Sequence, residues 1–60
     1  MQYKDGSIIV VNNANRLAIV VSHNLSYLYL YWQDVGRTIP FPKWRVERLL
    51  NNNVWSYHEV

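Results

Sequence analysis

The six residues from Tyr27 to Trp32, YLYLYW, constrain the fold more than any other stretch of this chain. Tyrosines alternate with leucine and tryptophan, and a period of two places successive side chains on opposite faces of a β-strand. These residue types also have high β-propensity because their rings pack well on a pleated surface. The run therefore predicts a strand with a core face and, opposite it, a second face made of three tyrosines.

Four further strands and one helix are predicted around this run. Segments rich in β-branched residues, separated by Asn, Asp and Gly, predict strands at 7–11, 16–22, 37–41 and 54–60. Residues 43–50, KWRVERLL, carry Val46, Leu49 and Leu50 at helical spacing and follow Pro42, which suits a first helical turn. They predict a short helix or a single 3-10 turn that ends at the asparagines 51–53.

The alternation also predicts which side chains form the core. One face of the third strand is expected to point inward with alternate residues of the first two strands. The tyrosines Tyr27, Tyr29 and Tyr31 are expected to point outward. The predicted inward set is Ile9, Val11, Ile19, Val21, Leu28, Leu30 and Trp32.

The length and composition indicate one small, mostly β domain that spans residues 1–60. The chain has no cysteine, so it forms no disulfide and no thiolate zinc site. His23 and His58 are the only imidazoles, and no carboxylates accompany them at ligand spacing, so no metal site is expected. The net charge of +2 is too small to predict nucleic-acid binding by itself.

No arrangement of residues in the sequence is typical of an enzyme. Gly6 and Gly36 are the only glycines, which excludes a glycine-rich phosphate loop. The four acidic residues form no motif, and neither histidine has both a nucleophile and an orienting group beside it. We therefore expect a non-enzymatic protein with no catalytic residue, no cofactor and no small-molecule substrate.

No apolar run approaches the roughly 20 residues that a membrane helix needs. The first residues, MQYKDGS, include a lysine but are not followed by a signal-peptide core, since IIVV is only four residues long. We therefore expect a cytoplasmic protein that does not engage a membrane.

The stretch from Arg16 to Leu49 resembles the SH3-like small barrels of the KOW and Tudor kind. The resemblance is carried by the strand A-I-V-V, a tight turn, Y-L-Y-L-Y-W-Q-D, a glycine, and a short strand that leads into P-F-P and a helical turn. Many short accessory proteins of tailed bacteriophages are similar to this pattern. The resemblance implies a small five-stranded SH3-like barrel with one short helix before the last strand. It also implies a phage accessory protein that acts in the host cytoplasm.

Three interpretations of the tyrosines remain open. They can be purely structural, with the rings covering the sheet. They can form a surface for a host or phage protein, or for self-association, because tyrosine, tryptophan and arginine are enriched at binding hot spots. They can instead stack with the bases of a single-stranded nucleic acid, which is the alternative function. The predicted partner-binding residues are Tyr27, Tyr29, Tyr31, Trp44, Arg45 and Arg48.

Overall fold

A computed structural model describes residues 2–60 of the chain. All five predicted strands and the helix are confirmed, with bounds that differ from the prediction by at most two residues. The helix is a true α-helix rather than a 3-10 turn. The elements are β1 Ile8–Val11, β2 Arg16–His23, β3 Tyr27–Trp32, β4 Arg37–Pro42, α1 Lys43–Asn51 and β5 Trp55–His58.

The five strands form one antiparallel sheet in the order β4-β3-β2-β1-β5. The sheet is open, so the expected closure into a barrel is not observed: within residues 2–60, β4 and β5 are the two edges and do not pair. Helix α1 contacts β3, β4 and β5, and so occupies one side of the sheet between those edges. β4 carries Pro40 and Pro42, which have no backbone N–H to donate to a neighbouring strand. This composition suits an edge strand.

The hydrophobic core lies between α1 and one face of the sheet. Val46 of α1 is fully buried there, and Leu49 and Leu50 pack beside it. The rings of Trp32, Phe41 and Trp55 meet one another edge to face, with centroids 5.4–5.9 Å apart. The core contains Tyr3, Ile9, Ala18, Val20, Leu28, Leu30, Trp32, Val46 and Trp55.

The orientation of β2 differs from the prediction. Ile19 and Val21 were expected to face the core, but Ala18 and Val20 are the buried residues, and Val21 is 48% exposed. Ala18 and Val20 lie directly opposite the inward-facing residues of β3, and directly paired residues share a face. The register then shifts through a β-bulge at Val21. The prediction was wrong because residues 17–21 are all apolar. Their own pattern therefore cannot show which alternate residues face the core.

An asparagine ends the helix, as the sequence predicts. Asn53 has a φ of 60°, in the left-handed region that asparagine tolerates better than most residues. The side-chain amide of Asn12 donates a 2.7 Å hydrogen bond to the backbone oxygen of Asn53. This bond ties the end of the helix to the β1–β2 turn and sets the start of β5.

Candidate binding surface

The three tyrosines of β3 point away from the core, as their alternation with buried leucines predicts. Leu28 and Leu30 are fully buried, whereas Tyr27 is 42% and Tyr31 is 36% exposed. Tyr29, between them, is half-buried. Tyr27 and Tyr31 are therefore exposed on the side of the sheet opposite α1. The hydroxyl of Tyr29 accepts a 3.4 Å hydrogen bond from the side-chain amide of Asn24.

The tyrosines belong to a wider apolar surface that crosses the sheet. Tyr31 lies opposite Ile19 of β2, and Ile19 lies opposite Ile8 of β1. Because directly paired residues share a face, these side chains form a continuous row across three strands. We call the whole surface the outer face; its members are Ile8, Val10, Leu17, Ile19, Tyr27, Tyr29, Tyr31 and Pro40, and each is half-buried or exposed.

Sequence reasoning found only the tyrosines of this outer face. It missed the residues that β1 and β2 contribute, because it assigned Ile19 to the core. The available signal was the unbroken run of β-branched residues in β1 and β2, which is typical of strands with two apolar faces. That signal shows that both faces are apolar without showing which residues lie on each.

The outer face carries no Lys, Arg, Asp or Glu side chain from any of the five strands. The two arginines of the strands, Arg16 and Arg37, are paired with Val11 and with the inward-facing Trp32, so they lie on the opposite face. Besides the tyrosines, the polar residues of the strands on this side of the sheet are Ser22, Thr38, Ser56 and His58, which border the outer face. The surface is therefore uncharged, with hydroxyl groups as its main polar features.

Arg16 is held by two contacts on the core side of the sheet. Its Nε donates a 2.6 Å hydrogen bond to the carboxylate of Asp34, and its guanidinium lies 4.7 Å from the centroid of the Trp32 ring. The hydrogen bond from Arg16 lowers the pKa of Asp34 below its ordinary value. This ion pair joins the start of β2 to the β3–β4 turn.

The turn that precedes β3 is held by Asn24. Its side-chain oxygen accepts hydrogen bonds from the backbone N–H groups of Ser26 and Tyr27, at 2.9 and 2.8 Å. This Asx turn fixes the chain direction as β3 begins. The β2–β3 connection therefore holds Tyr27, the first of the three tyrosines, in place.

The helical residues that were predicted to extend the tyrosine face lie elsewhere. Trp44 is 65% exposed, and Arg48, four residues later, lies on the same solvent-facing side of α1. The guanidinium of Arg45 lies 5.9 Å from the centroid of the Phe41 ring. Because α1 packs against the core face of the sheet, the structure does not bring Arg45 and Arg48 to the outer face.

The start of α1 nevertheless lies close to one end of the outer face. The backbone N–H of Lys43 donates a 2.8 Å hydrogen bond to the oxygen of Ser26, beside Tyr27. Trp44, the next residue of the helix, is therefore at the Tyr27 end of the molecule.

The remaining polar side chains form small local pairs. Nδ1 of His23 lies 3.1 Å from Oδ1 of Asp5, and both side chains are exposed. Residues 2–60 contain no group of three or more His, Cys, Asp or Glu side chains that could hold a metal ion. Over the same residues, no helix is long and apolar enough to cross a membrane.

Comparisons with protein-family models, with curated proteins and with solved structures each found no match to this chain.

Proposed function

We propose that this chain is a non-enzymatic binding module that associates with another protein through its outer face. The observation that carries the proposal is the continuous apolar and aromatic surface on the side of the sheet opposite α1. Monomeric proteins rarely expose a contiguous apolar patch of more than a few hundred Å². Tyrosine is also enriched at binding hot spots, since its ring supplies buried area while its hydroxyl can form hydrogen bonds.

The charge distribution favours a protein partner over a nucleic acid. A platform for single strands combines stacking rings with cations that follow the phosphate backbone. Here the rings lie on an uncharged face, and Arg45 and Arg48 lie on the helix at the other side of the sheet. A single-stranded nucleic acid stacked on Tyr29 and Tyr31 would therefore meet no Lys or Arg side chain from the five β-strands.

The topology supports an SH3-like arrangement with an open sheet. Four consecutive strands follow one another across the sheet, and after a short helix β5 returns beside β1. The sequence resemblance to phage accessory proteins adds the expectation that the module acts in the host cytoplasm. The partner is then a second copy of the chain or a host or phage protein.

The proposal is tested by capture with tagged protein from a nuclease-treated lysate of the cell that encodes it. One variant combines Tyr27→Thr, Tyr29→Thr and Tyr31→Thr, which keeps high β-propensity and removes the rings. The matched control combines Arg45→Ala and Arg48→Ala, two helix residues that the packing of α1 separates from the outer face. We expect a protein, including untagged copies of the chain, to be retained by the wild type and the helix variant and lost by the tyrosine variant.

Salt dependence separates the two ligand classes in the same experiment. Retention through apolar contacts should persist between about 0.1 M and 0.5 M salt, whereas phosphate binding weakens steeply because counterions are released. Recovery of nucleic acid alone from untreated lysate, lost at the higher salt and in the helix variant, would contradict the proposal. Capture that is equal for the wild type and the tyrosine variant would contradict it as well.

A further inference from the structure

We infer that the occupant of the outer face is the outer face of a second copy, so that two sheets pack face to face around a two-fold axis. The inference rests on the proposed role of the outer face as the binding surface and identifies its partner. Such an interface is isologous, which means that the same surface must be complementary to itself. Three features of the structure support this pairing.

The first feature is the absence of charge from the surface. A two-fold axis brings the residues that lie beside it close to their own copies, so a charged residue near the axis would face a like charge. The outer face has no Lys, Arg, Asp or Glu from β1–β5, so self-pairing involves no such repulsion. A partner of strong net charge, in contrast, would find no complementary group on this surface.

The second feature is the size of the surface. Five strands about 4.8 Å apart, of four to eight residues each, give a face of roughly 24 by 20 Å. The chain as a whole measures 28 × 26 × 20 Å, so a face of this size is comparable with a whole side of the molecule. Two such faces together remove on the order of 1,000 Å² from solvent, near the lower limit for a specific interface. The pairing is therefore expected to be reversible and dependent on concentration.

The third feature is the composition of the β4 edge, which disfavours the competing edge-to-edge mode. Strand addition needs backbone donors along the edge of the sheet. Pro40 and Pro42 occupy alternate positions of β4, so two of the three backbone donors on one side of that strand are missing, and only Thr38 keeps its N–H there. The opposite edge, β5, is only four residues long. Self-association is thus directed to the face of the sheet, where two sheets can pack about 10 Å apart.

Sedimentation equilibrium over about 5 µM to 1 mM protein tests this inference, with dissociation expected on the order of micromolar or weaker. The weight-average mass should rise from the 7.2 kDa of one chain toward twice that value. Ile19→Lys places a charge in the middle strand of the outer face and should leave a monomer throughout. Val35→Lys adds the same charge at an exposed position in the β3–β4 turn, away from this face, and should dimerise like the wild type.

A measurement on the unmodified protein keeps the test valid if Ile19→Lys fails to fold. Amide chemical shifts of labelled wild type, followed over the same dilution series, should change along β1, β2 and β3 and stay constant along the exposed side of α1. A wild type that remains monomeric at about 1 mM would overturn the second-copy inference. So would dimerisation that Ile19→Lys and Val35→Lys leave equally intact, or shift changes confined to α1.

These failures differ from failure of the proposed function. A monomeric wild type whose tyrosine variant still loses a captured protein would keep the outer face as a binding surface for a different partner. A dimer that forms through α1, together with tyrosine-independent capture, would contradict both statements.

Discussion

The rings of Tyr3 and Tyr57 meet edge to face, with centroids 5.4 Å apart and an interplanar angle of 89°, but their hydroxyls have different surroundings. The hydroxyl of Tyr57 donates to Oγ of the fully buried Ser7 at 3.0 Å and accepts from the backbone N–H of Lys4 at 2.9 Å. The hydroxyl of Tyr3 is buried and has no hydrogen-bond partner in the described part of the chain. The two tyrosines therefore contribute differently to stability although their rings are in contact.

Removing the hydroxyl should destabilise the protein at Tyr57 but not at Tyr3. Tyr57→Phe breaks two hydrogen bonds and leaves Ser7 without this donor, which should cost about 1–2 kcal/mol of unfolding free energy. Tyr3→Phe removes a buried hydroxyl that has no protein partner, and should be neutral or stabilising. Urea denaturation followed by circular dichroism measures both. Equal destabilisation by the two substitutions would contradict the hydrogen-bond assignment.

The stability of the protein should fall at high pH because of Tyr3. Burial, then the nearby charges of Glu47 and Tyr57, raise the pKa of Tyr3 from 10.0 to about 12. A raised pKa means that the folded state favours the neutral phenol, so its contribution is complete below pH 10 and is lost as the pH rises toward 12. Tyr3→Phe removes this titration, so its stability relative to wild type should increase over that range.

Denaturation of wild type and Tyr3→Phe at a series of alkaline pH values checks this expectation. Glu47→Gln serves as a second variant, because it removes one of the charges that raise the pKa of Tyr3 and should lower that pKa. A difference in stability between wild type and Tyr3→Phe that stays constant from pH 9 to 12 would be inconsistent with the raised pKa.

The ion pair between Arg16 and Asp34 should give stability that is lost in acid. The hydrogen bond from Arg16 lowers the pKa of Asp34, so the folded state favours the carboxylate. Its contribution is present above the ordinary pKa of aspartate and disappears as the pH falls through the lowered value. Carboxyl NMR titration should show that Arg16→Gln raises the pKa of Asp34. Arg37→Gln, which removes the other arginine of the strands, should leave that pKa unchanged.

Helix α1 should depend on Val46 far more than on Trp44. Val46 is fully buried against the sheet, so Val46→Ala leaves a cavity and should cost about 2 kcal/mol. Trp44 is 65% exposed, and Trp44→Ala should change stability by less than about 0.5 kcal/mol. Thermal and urea unfolding of the two variants provide the measurement. A larger loss from Trp44→Ala would show that this ring packs against the chain in solution.

The predicted elements match the structure because their signals are local. The period of two in YLYLYW, the i, i+3, i+4 spacing of Val46, Leu49 and Leu50, and the asparagines after the helix each act within a few residues. The direction of the three tyrosines follows in the same way, since Leu28 and Leu30 between them must be buried.

The extent of the outer face needed long-range information. Which residues of β2 face the core was decided by the pairing of Ala18 and Val20 with β3, not by the apolar run that contains them. The same pairing brought Ile19 to the outer side, beside Tyr31. The prediction that Arg45 and Arg48 extend the tyrosine surface rested on nearness in sequence, and the packing of α1 on the core face separates them from it.

By itself, the sequence determined five strands and one helix, their order along the chain, and the separation of β3 into a core face and a tyrosine face. These signals are propensity and periodicity, which operate over a few residues. Only the tertiary structure decided that the sheet stays open, that α1 lies between its edges, and that Ile8, Val10, Leu17 and Ile19 join the tyrosines. These features depend on which strands pair and in what register. A strand with apolar residues on both faces leaves that choice to its neighbours.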